Sequence, residues 1–261
     1  MLTRNVAWAG LALLAVEIGS GAMLLAADAP KQDELKQRAQ ASHTQLIGLP
    51  SGGTLRFVNA RGTLTVEAWD RPEVEITTIK STKGEFGASE RDRAAKKLDA
   101  VTVTAEVRGN ELVVTTSYPR RRLLPRPFSD ASKRDFDLEY RIKAPAATRI
   151  VDERHDVGEV NIDGLTGDID VSLLQGEIML HLPENGRYDI DAKTQAGSVS
   201  SDFPGEEKRR RWFIGHRFAP GGSGAPHRLN LRVGFGDIVL LTIRVPKAPE
   251  PPIAASKPEG L

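Results

Sequence analysis

A short unit recurs through the second half of this chain and limits what the chain can fold into. The unit is a glycine, an acidic or small residue, a branched apolar residue, any residue, and usually another apolar residue. Its copies lie at 158–162, 167–171, 176–180, 197–200 and 236–240, with an outlying copy at 62–66. Glycine permits a tight turn at the start of a strand, and the two apolar residues lie on one side of it. Because one unit cannot bury its own apolar side, the units must stack.

The spacing of the copies indicates the architecture. Gly158, Gly167 and Gly176 are nine residues apart, which fits a strand of about five residues and a turn of about four. The repeat therefore predicts an all-β fold over residues 46–245, with one short helix. This fold is either solenoid-like (β-helix-like) or a sandwiched stack of short repeated strands.

Alternation of apolar and polar residues predicts further strands before the repeats. Residues 136–142 alternate strictly, and so do residues 101–107. Arg108, Gly109 and Asn110 then supply turn chemistry before a return strand that begins at Leu112, which predicts a hairpin.

One helix is expected between the strands. Ser89 can cap a helix over 90–98, in which Ala94, Ala95 and Leu98 form a narrow apolar stripe. A helix of this length needs packing against a sheet to persist.

The repeats, with the alternating strand 138–142 and the turn at Pro145, resemble the "putative adhesin" family of β-strand repeat proteins, DUF4097. The resemblance covers roughly residues 50–245 and is strongest over 136–241. It implies an exported, repeat-built domain without an established enzymatic activity, and it transfers no functional residues. The long insertion between Phe203 and His227 departs from the family pattern and leaves the strand register there open.

The N-terminus predicts export. Residues 1–29 resemble a signal peptide, with Arg4 before an apolar run at 6–16 and small residues towards position 29. An uncleaved membrane anchor is the alternative, although Glu17 would then lie near the bilayer centre. The expected location is periplasmic, cell-surface or secreted.

Two flanking segments are expected to lie outside the folded domain. Residues 30–45 are rich in charged side chains and predict a polar linker or a short solvated helix. Residues 246–261 are rich in proline and predict a disordered tail.

The composition excludes several kinds of chemistry. The chain has no cysteine, so disulfides, thiolate metal sites and cysteine nucleophiles are excluded. Its 36 basic residues nearly balance 35 acidic ones, so no global field attracts nucleic acid. We expect no cofactor, no nucleic-acid partner, and membrane contact only through the N-terminal segment if it stays uncleaved.

The acidic residues of the repeats raise the question of calcium. Asp163, Asp168, Asp170 and Glu177 recur beside glycines, but the Gly-Gly-x-Gly-x-Asp pattern of calcium-binding repeats is absent. We expect these residues to be outward-facing strand and turn residues, and we predict no metal site.

The sequence offers no recognisable catalytic motif. His155 lies in the charged segment 152–156, which predicts a solvated turn. A pair of carboxylates about 5–10 Å apart could still form a glycosidase site on a β-helix, but no sequence feature marks such a pair.

The best candidate binding patch is basic and aromatic. Its residues are Lys208, Arg209, Arg210, Arg211, Trp212 and Phe213. Such a cluster can bind anionic glycans or lipid headgroups. The sequence therefore predicts an exported, non-catalytic binding or structural module of the cell envelope, adhesin-like, with an unknown glycan, wall polymer or protein as its ligand. The alternative is a carbohydrate-active enzyme on a β-helix scaffold.

Overall fold

The computed structural model describes residues 36–118, 136–209, 215–219 and 224–244. These ranges hold fourteen strands and one helix. The ranges 36–118 and 136–209 contain twelve strands: β1 (Gln37–Gly48), β2 (Thr54–Val58), β3 (Gly62–Trp69), β4 (Glu73–Phe86), β5 (Thr102–Arg108), β6 (Glu111–Ser117), β7 (Phe136–Pro145), β8 (Arg149–Asp163), β9 (Ile169–Pro183), β10 (Tyr188–Ala196), β11 (Val199–Ser201) and β12 (Glu206–Arg209). The remaining elements are β13 (His216–Ala219), β14 (His227–Ile243) and the helix α1 (Ala88–Asp99).

Three long parallel strands form the centre of the sheet. Strands β8, β9 and β14 are 15, 15 and 17 residues long, and they pair in the order β8-β9-β14. Their first and second halves have different neighbours. The first half of β8 pairs with β2 and its second half with β3, while the two halves of β14 pair with β10 and β11. The long strands therefore run through two half-sheets.

The first half-sheet has the order β5-β6-β2-β8-β9-β14-β10-β13-β12. The second half-sheet has the order β1-β4-β7-β3-β8-β9-β14-β11. Both contain parallel and antiparallel pairs, so the sheet is mixed.

A row of glycines separates the two half-sheets. Gly158 is in register with Gly62 on one side and with Gly176 on the other, and Gly176 is in register with Gly236. A Cβ at Gly176 would lie 1.7 Å from the carbonyl oxygen of Gly158, and its φ of 138° also disfavours a side chain. Gly197 lies against Gly236 at the end of the row. We call these five residues the glycine row.

The alternation of buried and exposed residues along the strand shifts by one residue at the glycine row. In β9, Leu173 is the last buried apolar residue of the first half and Ile178 is the first of the second half. Strict alternation would need an even step between them, whereas the step here is odd. The strand therefore bends, and both halves keep their apolar side chains on the inside. Apolar residues from both half-sheets form one buried cluster.

The helix α1 covers a separate small cluster. Ala94 and Leu98 pack on Ala39 of β1 and are almost fully buried. The predicted apolar stripe is therefore confirmed. The helix begins at Ala88 after Gly87, which occupies the N-cap position, so the expected cap at Ser89 is wrong.

The all-β class and several elements are confirmed. The hairpin forms from β5 and β6, which pair antiparallel, with Gly109 in the turn at a φ of 63°. Strand β7 buries Leu138, Tyr140 and Ile142 as its alternation predicts.

Three expectations differ from the structure. Strands β8, β9 and β14 are long because each combines two apolar segments across the bend, so the prediction of short strands is wrong for them. Gly167 precedes β9 and lies outside the glycine row. The residues that become neighbours are Gly158 and Gly176, so the structural repeat is 18 residues rather than nine. A solenoid is not confirmed, because β14 lies between β9 and β10 and the strands do not stack in chain order.

The N-terminal boundary of the fold also differs. Strand β1 begins at Gln37, inside the segment 30–45 assigned to a linker or a solvated helix, because it pairs with β4 along its whole length. The signal segment 1–29 and the tail 246–261 lie outside the described residues. Within the described ranges, no helix has the length and apolar character needed to cross a membrane.

Candidate functional site

Basic side chains from three neighbouring strands of the first half-sheet form one transverse row. Arg232 of β14 is in register with Lys193 of β10, and Lys193 is in register with Arg217 of β13. The backbone of Lys208 in β12 follows next, because it pairs with Arg217. We call Arg232, Lys193 and Arg217 the basic row.

The strand alternation directs these side chains away from the core. The neighbouring residues Ala192, Phe218 and Val233 are buried in the hydrophobic cluster. Successive residues of a strand point to opposite faces. The basic row therefore lies on the outer face of the first half-sheet.

One carboxylate neutralises part of the positive charge of the basic row. Asp191 accepts a hydrogen bond from Lys193 at 2.5 Å and one from Arg217 at 3.0 Å. Burial alone raises the pKa of Asp191, but Lys193 and Arg217 outweigh that effect and hold the pKa below its ordinary value. Asp191 therefore stays ionised at neutral pH, and two of the three cations share one anion.

Arg232 differs from its two neighbours. No hydrogen bond or ion pair of its side chain is found among the described residues. It is exposed on the same face, directly beside Lys193. Its guanidinium is therefore available to a ligand.

A polar cleft of about 460 Å³ begins beside the basic row, and Arg217 and Arg232 contribute to its wall. The next row of side chains across the strands is Asp170, Asn230 and Asp191. Asn230 donates a hydrogen bond from Nδ2 to Asp170 at 2.9 Å. Beyond this row the lining contains both signs of charge, with Arg149 and Arg228 beside Asp168 and Asp189.

The predicted patch begins in the strand next to the basic row. Lys208 and Arg209 lie in β12, where their backbones pair with Arg217 and His216. The other predicted residues, Arg210, Arg211, Trp212 and Phe213, lie outside the described residues. Sequence reasoning missed Lys193 and Arg232 because they are distant in the chain and become neighbours only when β14 enters beside β10.

Three of the four acidic repeat residues, Asp163, Asp168 and Asp170, have individual partners. Asp163 accepts a hydrogen bond from Nδ1 of His181, and Asp168 accepts one from the backbone N–H of Arg228 at 2.9 Å. Across the described ranges, no group of three or more histidine, aspartate or glutamate side chains could hold a metal ion.

The expectation of a solvated His155 is wrong. A one-residue bulge in β8 between Asp152 and His155 shifts the register against β9 and turns both side chains into the core. Both are fully buried, and Nδ1 of His155 lies 2.8 Å from Oδ2 of Asp152. Nε2 of His155 lies 2.9 Å from the carbonyl oxygen of Gly62. The pair therefore joins β8 to the glycine row from inside.

Comparisons with known proteins find only distant structural likenesses. No family model and no curated protein matches the chain, so the resemblance to DUF4097 stays a prediction. A "putative cell adhesion protein" from Clostridium sporogenes is 14% identical with a TM-score of 0.45, over 78% of this chain and 100% of that one. A "putative adhesin" from Bacteroides fragilis is 10% identical with a TM-score of 0.29, over 78% and 97%.

A third solved structure carries a different description. This "putative lipid binding protein" from Parabacteroides distasonis is 13% identical with a TM-score of 0.21, over 61% of this chain and 70% of that one. All three likenesses are too distant to assign a function, which has to be argued from the side chains of the basic row.

Proposed function

We propose that this chain is an exported, non-catalytic binding module of the cell envelope, adhesin-like, whose basic row holds an anionic polymer such as an acidic glycan or wall polymer. The observation that carries the proposal is the alignment of Arg232, Lys193 and Arg217 on neighbouring strands. Like charges placed opposite each other destabilise a sheet. A ligand that supplies anions therefore reduces the repulsion among the cations of the basic row.

The spacing of the row favours a polymer over a small anion. Neighbouring strands lie about 4.8 Å apart, so three cations span about 10 Å. Lys208 extends the same line by one more strand in backbone register. A chain with repeated carboxylate, sulfate or phosphate groups can engage several of these cations together, whereas a single small anion cannot.

The two carboxylates near the cleft support binding rather than glycoside hydrolysis. Asp170 and Asp191 flank Asn230, two strand spacings or about 10 Å apart. A glycosidase needs one carboxyl with a raised pKa as its general acid. The pKa of Asp191 is lowered by its two cations, despite burial, and Asp170 is held by Asn230. The arrangement therefore favours a structural role for Asp170 and Asp191, in which they hold the neighbouring side chains of the cleft in place.

The test is binding of the purified protein to polymers of matched length and different charge. We expect polygalacturonate and dextran sulfate to bind and neutral dextran not to bind, with affinity that falls as salt rises. Arg232→Gln should weaken binding about three- to tenfold, as expected for one lost charge-assisted contact. The matched control is Arg108→Gln, because Arg108 is 66% exposed and pairs with Glu106 away from the row.

Two results would contradict the proposal. One is equal binding of dextran and dextran sulfate, and the other is an equal effect of Arg232→Gln and Arg108→Gln. Location is tested separately with a tagged copy and protease. Digestion on intact cells supports a surface adhesin, and protection until lysis supports a periplasmic module.

A further inference from the structure

A second cleft, of about 530 Å³, lies along the glycine row where the two half-sheets meet. Gly62, Gly158 and Gly176 line it, together with six charged residues: Arg61, Lys83, Asp137, Glu159, Glu177 and Asp237. Because the glycines have no side chains, a ligand can approach the backbone closely there. This cleft shares no lining residue with the one beside the basic row.

Arg61 is the unusual residue of this cleft. The residue is 7% exposed, and its Nη1 is buried without a hydrogen-bond partner among the described residues. No ion pair of Arg61 is found in the same ranges. A buried guanidinium ordinarily has a carboxylate partner because its desolvation is costly. Arg61 therefore lacks an anion that a ligand can supply.

Two carboxylates in the cleft have neither a cation nor a hydrogen-bond donor as partner among the described residues. Glu159 and Glu177 lie directly opposite each other on β8 and β9. Neither forms a hydrogen bond or ion pair with any described residue. Of the other charged groups, Lys83 pairs with Asp137 at 3.6 Å. Asp237 accepts two hydrogen bonds from the neutral residue Ser198, and it has no cationic partner among the described residues.

We propose that this cleft binds a basic amino acid or a short peptide that ends in one, with the free carboxylate on Arg61 and ammonium or guanidinium groups on Glu159 and Glu177. Asp237 adds a negative charge that only Ser198 contacts, whereas the charged groups without any partner are one cation and two anions. A ligand with one carboxylate and two cationic groups, such as lysine, is their complement. This inference does not depend on the function proposed for the basic row.

The experiment is calorimetric titration of the purified full chain with three related probes. Lysine carries all three charged groups, cadaverine lacks the carboxylate, and norleucine lacks the side-chain ammonium. We expect lysine to bind about tenfold or more tighter than either analogue, since each lacks one charge-assisted contact. Equal affinity of lysine and cadaverine would overturn the assignment of Arg61, and absence of heat with lysine in the millimolar range would overturn the site.

Variants locate the binding in this cleft. Arg61→Gln should reduce lysine affinity to that of cadaverine and leave cadaverine unchanged. Glu177→Gln should weaken both ligands, whereas the control Glu67→Gln, on an exposed position of the second half-sheet, should weaken neither. If Arg61→Gln does not fold, the result with Glu177→Gln decides the matter, because wild-type affinity in that variant contradicts the proposal.

Discussion

Replacing Gly176 by alanine tests whether the glycine row is a steric requirement. The added Cβ would lie 1.7 Å from the carbonyl oxygen of Gly158, in a backbone with a φ of 138°. The unfavourable φ costs about 1–2 kcal/mol. Relief of the contact needs a shift of about 1.5 Å between β8 and β9, and we expect that shift to break about two ladder hydrogen bonds at about 1 kcal/mol each. We therefore expect Gly176→Ala to lower the free energy of unfolding by about 3–4 kcal/mol.

The measurement is urea unfolding followed by circular dichroism, with Gly109→Ala as the matched control. Gly109 also has a positive φ, of 63°, but a Cβ there meets nothing within 4 Å. The control should therefore lose only the conformational part, about 1–2 kcal/mol. If both variants lose the same free energy of unfolding, the strands accommodate the added Cβ without a steric cost. The steric explanation of the glycine row is then refuted.

Three further predictions concern buried or paired groups. His155→Ala should lower the free energy of unfolding by about 3–5 kcal/mol because it leaves the buried Asp152 unpaired. His181→Ala removes a half-exposed pair with Asp163 and should lower it by about 1 kcal/mol or less. Equal losses of the two variants in urea unfolding would contradict this. Because the folded-state pKa of Asp191 is lowered, its stabilisation is present above about pH 4 and is lost as pH falls through the lowered value, so Asp191→Asn should show a smaller loss of stability between neutral and acid pH. Burial raises the pKa of Tyr140 well above the ordinary value, so ultraviolet titration should detect late ionisation that Tyr140→Phe removes.

The sequence was sufficient for local structure because local structure follows from neighbouring residues. The alternation over 136–142 and the turn at Gly109 depend on side chains a few positions apart, and both predictions are confirmed. The glycine repeat also predicted that the units stack. It could not show which units become neighbours, because register between distant strands leaves no periodic signal in one sequence.

The two sites illustrate the same limit. Lys193 and Arg232 form a row only because β14 enters between β9 and β10. His155 is buried because of a bulge, which moves one residue from the outer to the inner side of β8. In the sequence its segment consists of charged residues, and such a segment predicts solvent exposure unless the register is known. Arg61 carries no sequence signal that it lacks a partner.

The position of β14 has a consequence for when the chain can fold. This strand is the last in the described chain, yet it pairs with β9 and β10 in the middle of the first half-sheet. Contacts between strands so distant in the chain slow folding, because a long loop must close before they form. A copy that stops before His227 would leave the parallel edges of β9 and β10 unpaired and prone to aggregate. Synthesis must therefore reach Ile243 before either half-sheet can close, and a truncated chain should be recognised by its insolubility rather than by a partial fold.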